Sequence, residues 1–193
     1  MKYLITRTDD FGSASAANRA ILKAIENGNY VKNVSCMAAA PQIEAGLDKL
    51  IELRHRKDFC VGLHAVLNSE WDGVHFRSIL PPAKVPSLVD ADGVFAAHPF
   101  MFQDKMPDVE EAMLEISAQL DTLAKLGVCA DYVDTHMLPE AVVPGLMDAL
   151  SDWIKSKGLA DQRYFYTFSE THQPELSGNT SLEQDLASYK EWF

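Results

Sequence analysis

Cysteine and basic residues are scarce in this 193-residue chain, and long apolar runs are absent. The three cysteines, Cys36, Cys60 and Cys129, are an odd number and lack the close spacing of a metal-binding pair. Because each lies in or beside an apolar segment, we expect reduced, buried thiols in a cytoplasmic protein. No stretch approaches the ~20 apolar residues of a transmembrane helix, and the N-terminal residues do not follow the signal-peptide pattern.

The charge balance narrows the range of partners. The net charge is −11, and Lys and Arg form no basic cluster. Nucleic acids and anionic membrane surfaces both reward such clusters, so neither is an expected partner. Neutral sugars and small amides are compatible with this composition. With 47% hydrophobic residues, the chain is long enough to fold as a single domain over residues 1–193.

Apolar strands and amphipathic helices alternate along the chain, which predicts an α/β fold with a parallel sheet, either open or closed into a barrel. Helices are predicted at residues 14–27, from Pro41 onward, at 109–126 and at 142–156. Strands are predicted at residues 3–8, 31–37, 59–64, 132–135 and 164–168. Five strands are fewer than a closed eight-stranded barrel of ~250 residues contains.

Two segments depart from the alternation. Residues 65–107 carry several prolines and the turn signals Asp72-Gly73 and Asp92-Gly93, which predicts an insertion that forms a lid or rim. Residues 169–193 are expected to form a polar loop and then a terminal helix over 181–193. We expect this helix to cover an open sheet edge, either within the chain or in a homodimer.

Two adjacent carboxylates, Asp9 and Asp10, close the first predicted strand just before Phe11-Gly12. Adjacent acids repel each other, so a pair at the end of a buried strand calls for a nearby cation. A divalent metal satisfies this need if one carboxylate is a ligand and the other is a base. Adjacent acids before a glycine also occur in ordinary turns and helix caps, so the pair alone leaves both interpretations open.

Two histidines close other predicted strands. His64 ends the third strand, and His136 follows Asp134 and Thr135 in the next clear one. The carboxyl ends of parallel strands lie on one face, so these groups should meet there, although a lone strand-end histidine is also a common structural residue. Because Asp134 and His136 are two residues apart, the carboxylate is a candidate partner of that imidazole. One carboxylate with two imidazoles is a recurrent open metal site.

Glu70 and Trp71 lie in the insertion, near the predicted mouth of the site. Trp71 either stacks on a sugar ring or anchors the insertion to the core. Glu70 is an acid with no assigned role beside it. Together with Asp134, both residues are candidates for substrate binding.

Several motifs in this order resemble those of the YdjC-like carbohydrate deacetylases, which include the chito-oligosaccharide deacetylases. The resemblance implies a distorted TIM-like (β/α) barrel, and the five predicted strands mean that this barrel is either incomplete or cut short. It also implies one divalent metal, Zn²⁺ or Mg²⁺, bound by Asp10, His64 and His136, with Asp9 as the general base. The motifs are Asp9-Asp10-Phe11-Gly12, Gly62-Leu63-His64, Ser69-Glu70-Trp71, Asp92-Gly93-Val94-Phe95 and Asp134-Thr135-His136-Met137.

The function expected from these residues is metal-dependent removal of acetyl groups from N-acetylated sugars or oligosaccharides. Two alternatives stay open. One is a catalytically silent carbohydrate-binding homologue, and the other is a metallohydrolase that acts on another amide or ester. The absence of a glycine-rich phosphate loop and of a basic pocket argues against phosphoesters. No residue is assigned as the acid that protonates the leaving group.

Overall fold

Strands and helices alternate along the whole of the described chain. The computed structural model describes residues 5–161, which form one compact unit. The helices are α1 (Ser15–Asn27), α2 (Leu47–Arg56), α3 (Val109–Lys125) and α4 (Leu146–Ser156). The strands are β1 (Arg7–Phe11), β2 (Asn33–Cys36), β3 (Cys60–Ala65), β4 (Tyr132–Thr135) and β5 (Ala160–Asp161).

The five strands form one sheet in the order β1-β2-β3-β4-β5, and every neighbouring pair is parallel. The predicted α/β class with a parallel sheet is therefore confirmed. Strands that are consecutive in sequence are also neighbours in space, which is how a (β/α) barrel winds. Within residues 5–161 the five strands form an open sheet.

The register between β3 and β4 brings two polar side chains together. Gly62 lies opposite Tyr132, and a Cβ atom at Gly62 would lie 2.3 Å from the Tyr132 ring, so only glycine fits there. Two residues further along, His64 lies opposite Asp134. Residues that lie directly opposite each other on neighbouring strands project to the same face of the sheet, so the side chains of His64 and Asp134 share one face.

Several element boundaries differ from the prediction, including the start of α4, which lies at Leu146 rather than at 142. β1 extends to Phe11, past the predicted end at residue 8, so Asp9 and Asp10 lie within the strand. α2 begins at Leu47 rather than at Pro41, because residues 38–46 form turns. The Asn18 side chain stabilises these turns by donating hydrogen bonds to the backbone carbonyls of residues 42 and 45. Gly46 then starts the helix with a φ of 90°, which a side chain would disfavour.

The long helix α3 lies as predicted and has clear end signals. Asp108 caps its N-terminus by accepting hydrogen bonds from the backbone amides of Glu110 and Glu111. Its buried residues include Ala112, Ile116 and Leu123, which lie on one face at helical spacing. This face packs the helix onto β3 and α4.

The connection from β3 to α3 covers residues 66–108. It contains two short 3₁₀ turns and two isolated antiparallel bridges, Arg77 to Val94 and Val89 to Phe95. It packs firmly onto the core, since Phe76, Phe95 and Phe102 are all buried. The buried Glu115 carboxylate of α3 also accepts hydrogen bonds from the backbone amides of Ile79 and Leu80.

The expectation of three buried cysteines is wrong for two of them. Cys36 is buried in β2, whereas Cys60 and Cys129 are exposed, because both lie at the amino ends of strands β3 and β4. No helix within residues 5–161 is long and apolar enough to cross a membrane. The strand expected at 164–168 and the helix expected at 181–193 lie outside the described residues.

Candidate metal centre

The carboxyl ends of three parallel strands carry the predicted site residues. Asp10 lies near the end of β1, His64 in β3, and His136 directly after β4. Asp10 has a φ of 66°, and the pairing of β1 with β2 shifts register between Thr8 and Phe11. This local irregularity changes the strand's normal alternation, which would otherwise turn Asp9 and Asp10 to opposite faces.

Asp10, His64 and His136 meet at one point. Asp10 Oδ1 lies 3.4 Å from His64 Nε2 and 3.4 Å from His136 Nδ1. The two ring nitrogens are 3.3 Å apart. Both imidazoles are nearly fully buried, whereas 33% of the Asp10 side chain is exposed. The two histidines hold the pKa of Asp10 well below its usual range.

The donor atoms of this group fit a cation. Asp10 Oδ1 is buried and has no hydrogen-bond partner within the described residues. One carboxylate oxygen and two ring nitrogens lie within 4.8 Å of one another. A buried carboxylate oxygen without a partner is costly unless a positive charge or a donor faces it. The structure therefore brings the three residues expected as metal ligands together, with Asp10 Oδ1 facing both ring nitrogens.

His64 is held on its other side by Asp134. His64 Nδ1 lies 2.6 Å from Asp134 Oδ1. The other Asp134 oxygen accepts a hydrogen bond from Ser35 Oγ at 2.6 Å and contacts Arg7 Nη1 at 2.9 Å. Burial lowers the pKa of His64, but Asp10 and Asp134 outweigh this effect and raise it to about 9. The imidazole is thus fixed with Nε2 facing the centre.

The position of Asp134 corrects two expectations. It contacts His64 rather than His136, because the register of β3 and β4 pairs residues 64 and 134 and because His136 lies past the end of β4. Direct contact with substrate does not fit either, since none of the Asp134 side chain is exposed. Asp134 acts on the site through the imidazole and the two other side chains that it touches.

His136 is held by Glu70. Its Nε2 lies 3.0 Å and 2.9 Å from the two Glu70 oxygens, and its backbone amide donates to the carbonyl of Ala65. The Asn68 side chain donates a hydrogen bond to Glu70 at 3.1 Å. Each imidazole therefore has one nitrogen at the centre and the other on a carboxylate, but the two rings use opposite nitrogens for these roles.

Asp9 lies beside the group and is not part of it. Its two oxygens receive hydrogen bonds from Arg7 Nε at 2.6 Å and from Arg7 Nη2 at 3.1 Å. Its side chain is 41% exposed. Asp9, His64 and Asp134 form a second group of potential ligands, again with donor atoms within 4.8 Å of one another.

Trp71 contacts the ring of Phe76, with 5.8 Å between the ring centroids. Phe76 is fully buried and lies edge-on to the His136 ring at 6.1 Å. Phe76 therefore anchors the insertion beside the metal centre. Trp71 is partly buried against the core, and its role in substrate binding stays a prediction.

Arg7 and Ser35 are the site residues that the sequence reasoning missed. Ser35 is fully buried in β2 and donates its hydroxyl to Asp134, which a small polar residue in a buried strand does not reveal. The sequence does contain a signal for Arg7, because a residue two positions before Asp9 lies on the same side of a regular strand. Its second contact, with Asp134, depends on a residue 127 positions away and could not be foreseen.

Comparisons with known proteins show which family and which solved structures this chain is similar to. A family described as YdjC-like protein matches residues 3–193. Two proteins named carbohydrate deacetylase, from Thermoanaerobacter pseudethanolicus and Enterococcus faecalis, are each 31% identical to this chain over 70% of its length. The aligned regions cover 50% and 48% of those proteins, so the chain spans about half the length of these relatives.

Two further similarities extend over nearly the whole chain. A carbohydrate deacetylase from Vibrio cholerae is 25% identical over 98% of this chain and 74% of its own length. A crystal structure from Enterococcus faecalis, described as that of a cellobiose-phosphate cleavage protein, has a TM-score of 0.73 and 22% identity. It covers 96% of this chain and 74% of its own. The structural likeness supports the fold alone.

Proposed function

Because this chain belongs to the YdjC-like protein family, we propose that it is a metal-dependent hydrolase that removes acetyl groups from N-acetylated sugars or oligosaccharides. The observation that carries the proposal is the convergence of Asp10, His64 and His136 around a buried carboxylate oxygen that accepts no hydrogen bond within the described residues. Three relatives named carbohydrate deacetylase support the substrate class. The products are acetate and a sugar with a free amino group.

The proposed metal ligands are Asp10 Oδ1, His64 Nε2 and His136 Nδ1. Imidazole suits Zn²⁺, whereas Mg²⁺ prefers oxygen ligands and water, so two histidines among three ligands favour zinc. A divalent cation bound there supplies Lewis acidity toward an acetyl carbonyl and lowers the pKa of a water molecule.

The two outer carboxylates fix the histidines for this task. If His64 binds through Nε2, its proton resides on Nδ1 and is donated to Asp134. If His136 binds through Nδ1, its proton resides on Nε2 and is donated to Glu70. Carboxylates on the remote nitrogen select the tautomer, orient the ring and make the ligand more basic. We propose this positioning role for Glu70 in addition to the contact with substrate expected for it.

Asp9 is the proposed general base. Its carboxylate lies outside the three-ligand group and within 4.8 Å of a His64 ring nitrogen, which supports a role next to that group. It is the more exposed of the two adjacent acids, so a water molecule can reach it. In the proposed reaction Asp9 would remove a proton from the attacking water as the water oxygen bonds to the acetyl carbon. The acetyl–nitrogen bond would then break as the nitrogen takes up a proton, which leaves the sugar with a free amino group.

Trp71 and Glu70 are the proposed contacts for the sugar. Both lie in the connection that follows β3, next to the buried Phe76 that touches His136. An indole ring near a polar acid provides the stacking surface and the hydrogen-bond acceptor that a pyranose ring requires.

The test is release of acetate from N,N′-diacetylchitobiose by the full-length protein, first freed of metal by a chelator and then supplied with Zn²⁺ or Mg²⁺. We expect activity to disappear with the metal and to return when the metal is added back. His136→Ala should abolish both metal binding and activity. His55→Ala is the matched control, because His55 lies in α2 on the other side of the strand ends and should leave both unchanged.

Three outcomes separate the proposal from its alternatives. A protein that binds metal and sugar but releases no acetate would be a silent carbohydrate-binding homologue. A protein that binds metal and hydrolyses simple esters, but no N-acetylated sugar, would be a different metallohydrolase. Full activity in His136→Ala would remove the centre from the mechanism altogether.

A further inference from the structure

Arg7 contacts two carboxylates of the site at once. Its Nε and Nη2 atoms donate to the two oxygens of Asp9, and its Nη1 atom lies 2.9 Å from Asp134 Oδ2. We propose that Arg7 is the fixed counter-ion of Asp134 beside the metal centre, a positioning residue that balances this buried carboxylate and orients Asp9. This inference rests on the proposed function, because it assigns Arg7 a role in binding the same metal.

The first argument is the burial of Asp134. None of its side chain is exposed, and a buried carboxylate is expensive unless it is paired and fully hydrogen-bonded. Its oxygens are satisfied by His64, Ser35 and Arg7. Ser35 supplies a neutral hydroxyl, so only the imidazole and the guanidinium can offset the charge.

The second argument follows from the chemistry of the ligand. A histidine that donates its lone pair to a metal is neutral, so the positive charge on that side of Asp134 would then come only from the metal, across the ring. Within residues 5–161, Arg7 is the only permanently charged cation recorded in contact with Asp134. Its charge does not titrate in the range where proteins work, so it persists whether or not metal is bound.

The third argument is the geometry of the guanidinium. Its planar fork presents donors in several directions, which lets one side chain hold two carboxylates at fixed positions. Asp9 and Asp134 belong to the second group of potential ligands, and Arg7 binds both of them. The guanidinium of Arg7 therefore already supplies the positive charge for this second group. Asp9 lies beside the metal centre without being one of its ligands.

The test measures Zn²⁺ affinity of the full chain by competition with a chromophoric chelator, which needs no substrate. Arg7→Ala should lower the affinity by about 10- to 100-fold, the range for losing a group that supports a ligand. Arg7→Lys should be intermediate, since an ammonium replaces the charge but not the fork. Thermal unfolding of each variant shows that it is folded.

Arg54→Ala is the matched control. Arg54 Nη2 lies 2.7 Å from both oxygens of Asp131, and its side chain is 29% exposed, against 26% for Arg7. This pair lies at the amino end of β4, away from the centre, so the variant should keep wild-type Zn²⁺ affinity. Millimolar guanidinium chloride should restore part of the affinity of Arg7→Ala, and sodium chloride at the same ionic strength should not.

The outcomes distinguish this inference from the proposed function. Wild-type affinity in Arg7→Ala, an equal loss in Arg54→Ala, or no specific effect of guanidinium would overturn the role of Arg7 and leave the deacetylase proposal standing. If Arg7→Ala lowers the Zn²⁺ affinity as expected but the wild-type protein releases no acetate, the deacetylase proposal alone is overturned. A wild-type protein that binds no divalent metal would overturn both.

Discussion

Metal binding should release close to one proton from His64. The pKa of this buried imidazole in the metal-free protein is about 9, because Asp10 and Asp134 outweigh the effect of burial. At about pH 7.5 such a group is protonated in roughly thirty molecules for every neutral one, whereas an unperturbed histidine is protonated in roughly one molecule in ten. The imidazole must be neutral to bind metal, so nearly all of this proton is displaced.

Isothermal titration calorimetry with Zn²⁺ in buffers of different ionisation enthalpy counts the protons released. We expect about one proton or more per metal near pH 7.5, and an apparent affinity that rises about tenfold per pH unit until pH reaches about 9. Asp134→Asn is the control, since it removes a carboxylate that raises the pKa of His64 and should reduce the count. A wild-type protein that binds zinc while releasing less than about half a proton would refute the reasoning.

Three further predictions concern the carboxylates and the metal-free protein. Asp10→Asn should lose metal, whereas Asp9→Asn should retain metal and release acetate about 10²- to 10⁴-fold more slowly. Equal metal loss in the two variants would make Asp9 a ligand. Glu70→Ala should weaken Zn²⁺ binding by about 10- to 100-fold, and Glu70→Gln by less because its amide oxygen still accepts from His136; unchanged affinity in Glu70→Ala would contradict the positioning role. In the metal-free protein the pKa of His64 is raised from 6.5 to about 9, so its contribution to stability is complete below pH 6.5 and is lost as pH rises through about 9. This loss is worth about 3 kcal/mol. Chemical denaturation across this pH range should show it, and His64→Gln should lack it.

The sequence predicted the fold class because its signals are local. Alternating strands and amphipathic helices need only neighbouring residues to be recognised, and α3 and β4 lie where the pattern placed them. The start of α2 was missed because turns held by the Asn18 side chain replace the helical turn that Pro41 suggested. That contact joins residues more than twenty positions apart, and no local pattern encodes it.

The candidate site likewise combines features that the sequence pattern indicates with contacts that depend on long-range pairing. Asp10, His64 and His136 could be expected together, since parallel strands bring their carboxyl ends to one face. The partner of Asp134 could not, because it depends on the register between β3 and β4 rather than on the spacing of residues 134 and 136. The expected homodimer and cytoplasmic location stay predictions.

The three proposed ligands are far apart in sequence, and this has a consequence for how the protein matures. Asp10 and His136 are brought together by β1 and β4, which lie three strands apart in the order of the sheet. A chain in which only β1 to β3 have paired therefore offers a metal two of the three ligands, Asp10 and His64, and a complete binding site arises only when β4 has joined β3. Loading with metal is then a late event in folding, and a chelator added during refolding should leave sheet assembly intact while blocking the final gain in stability.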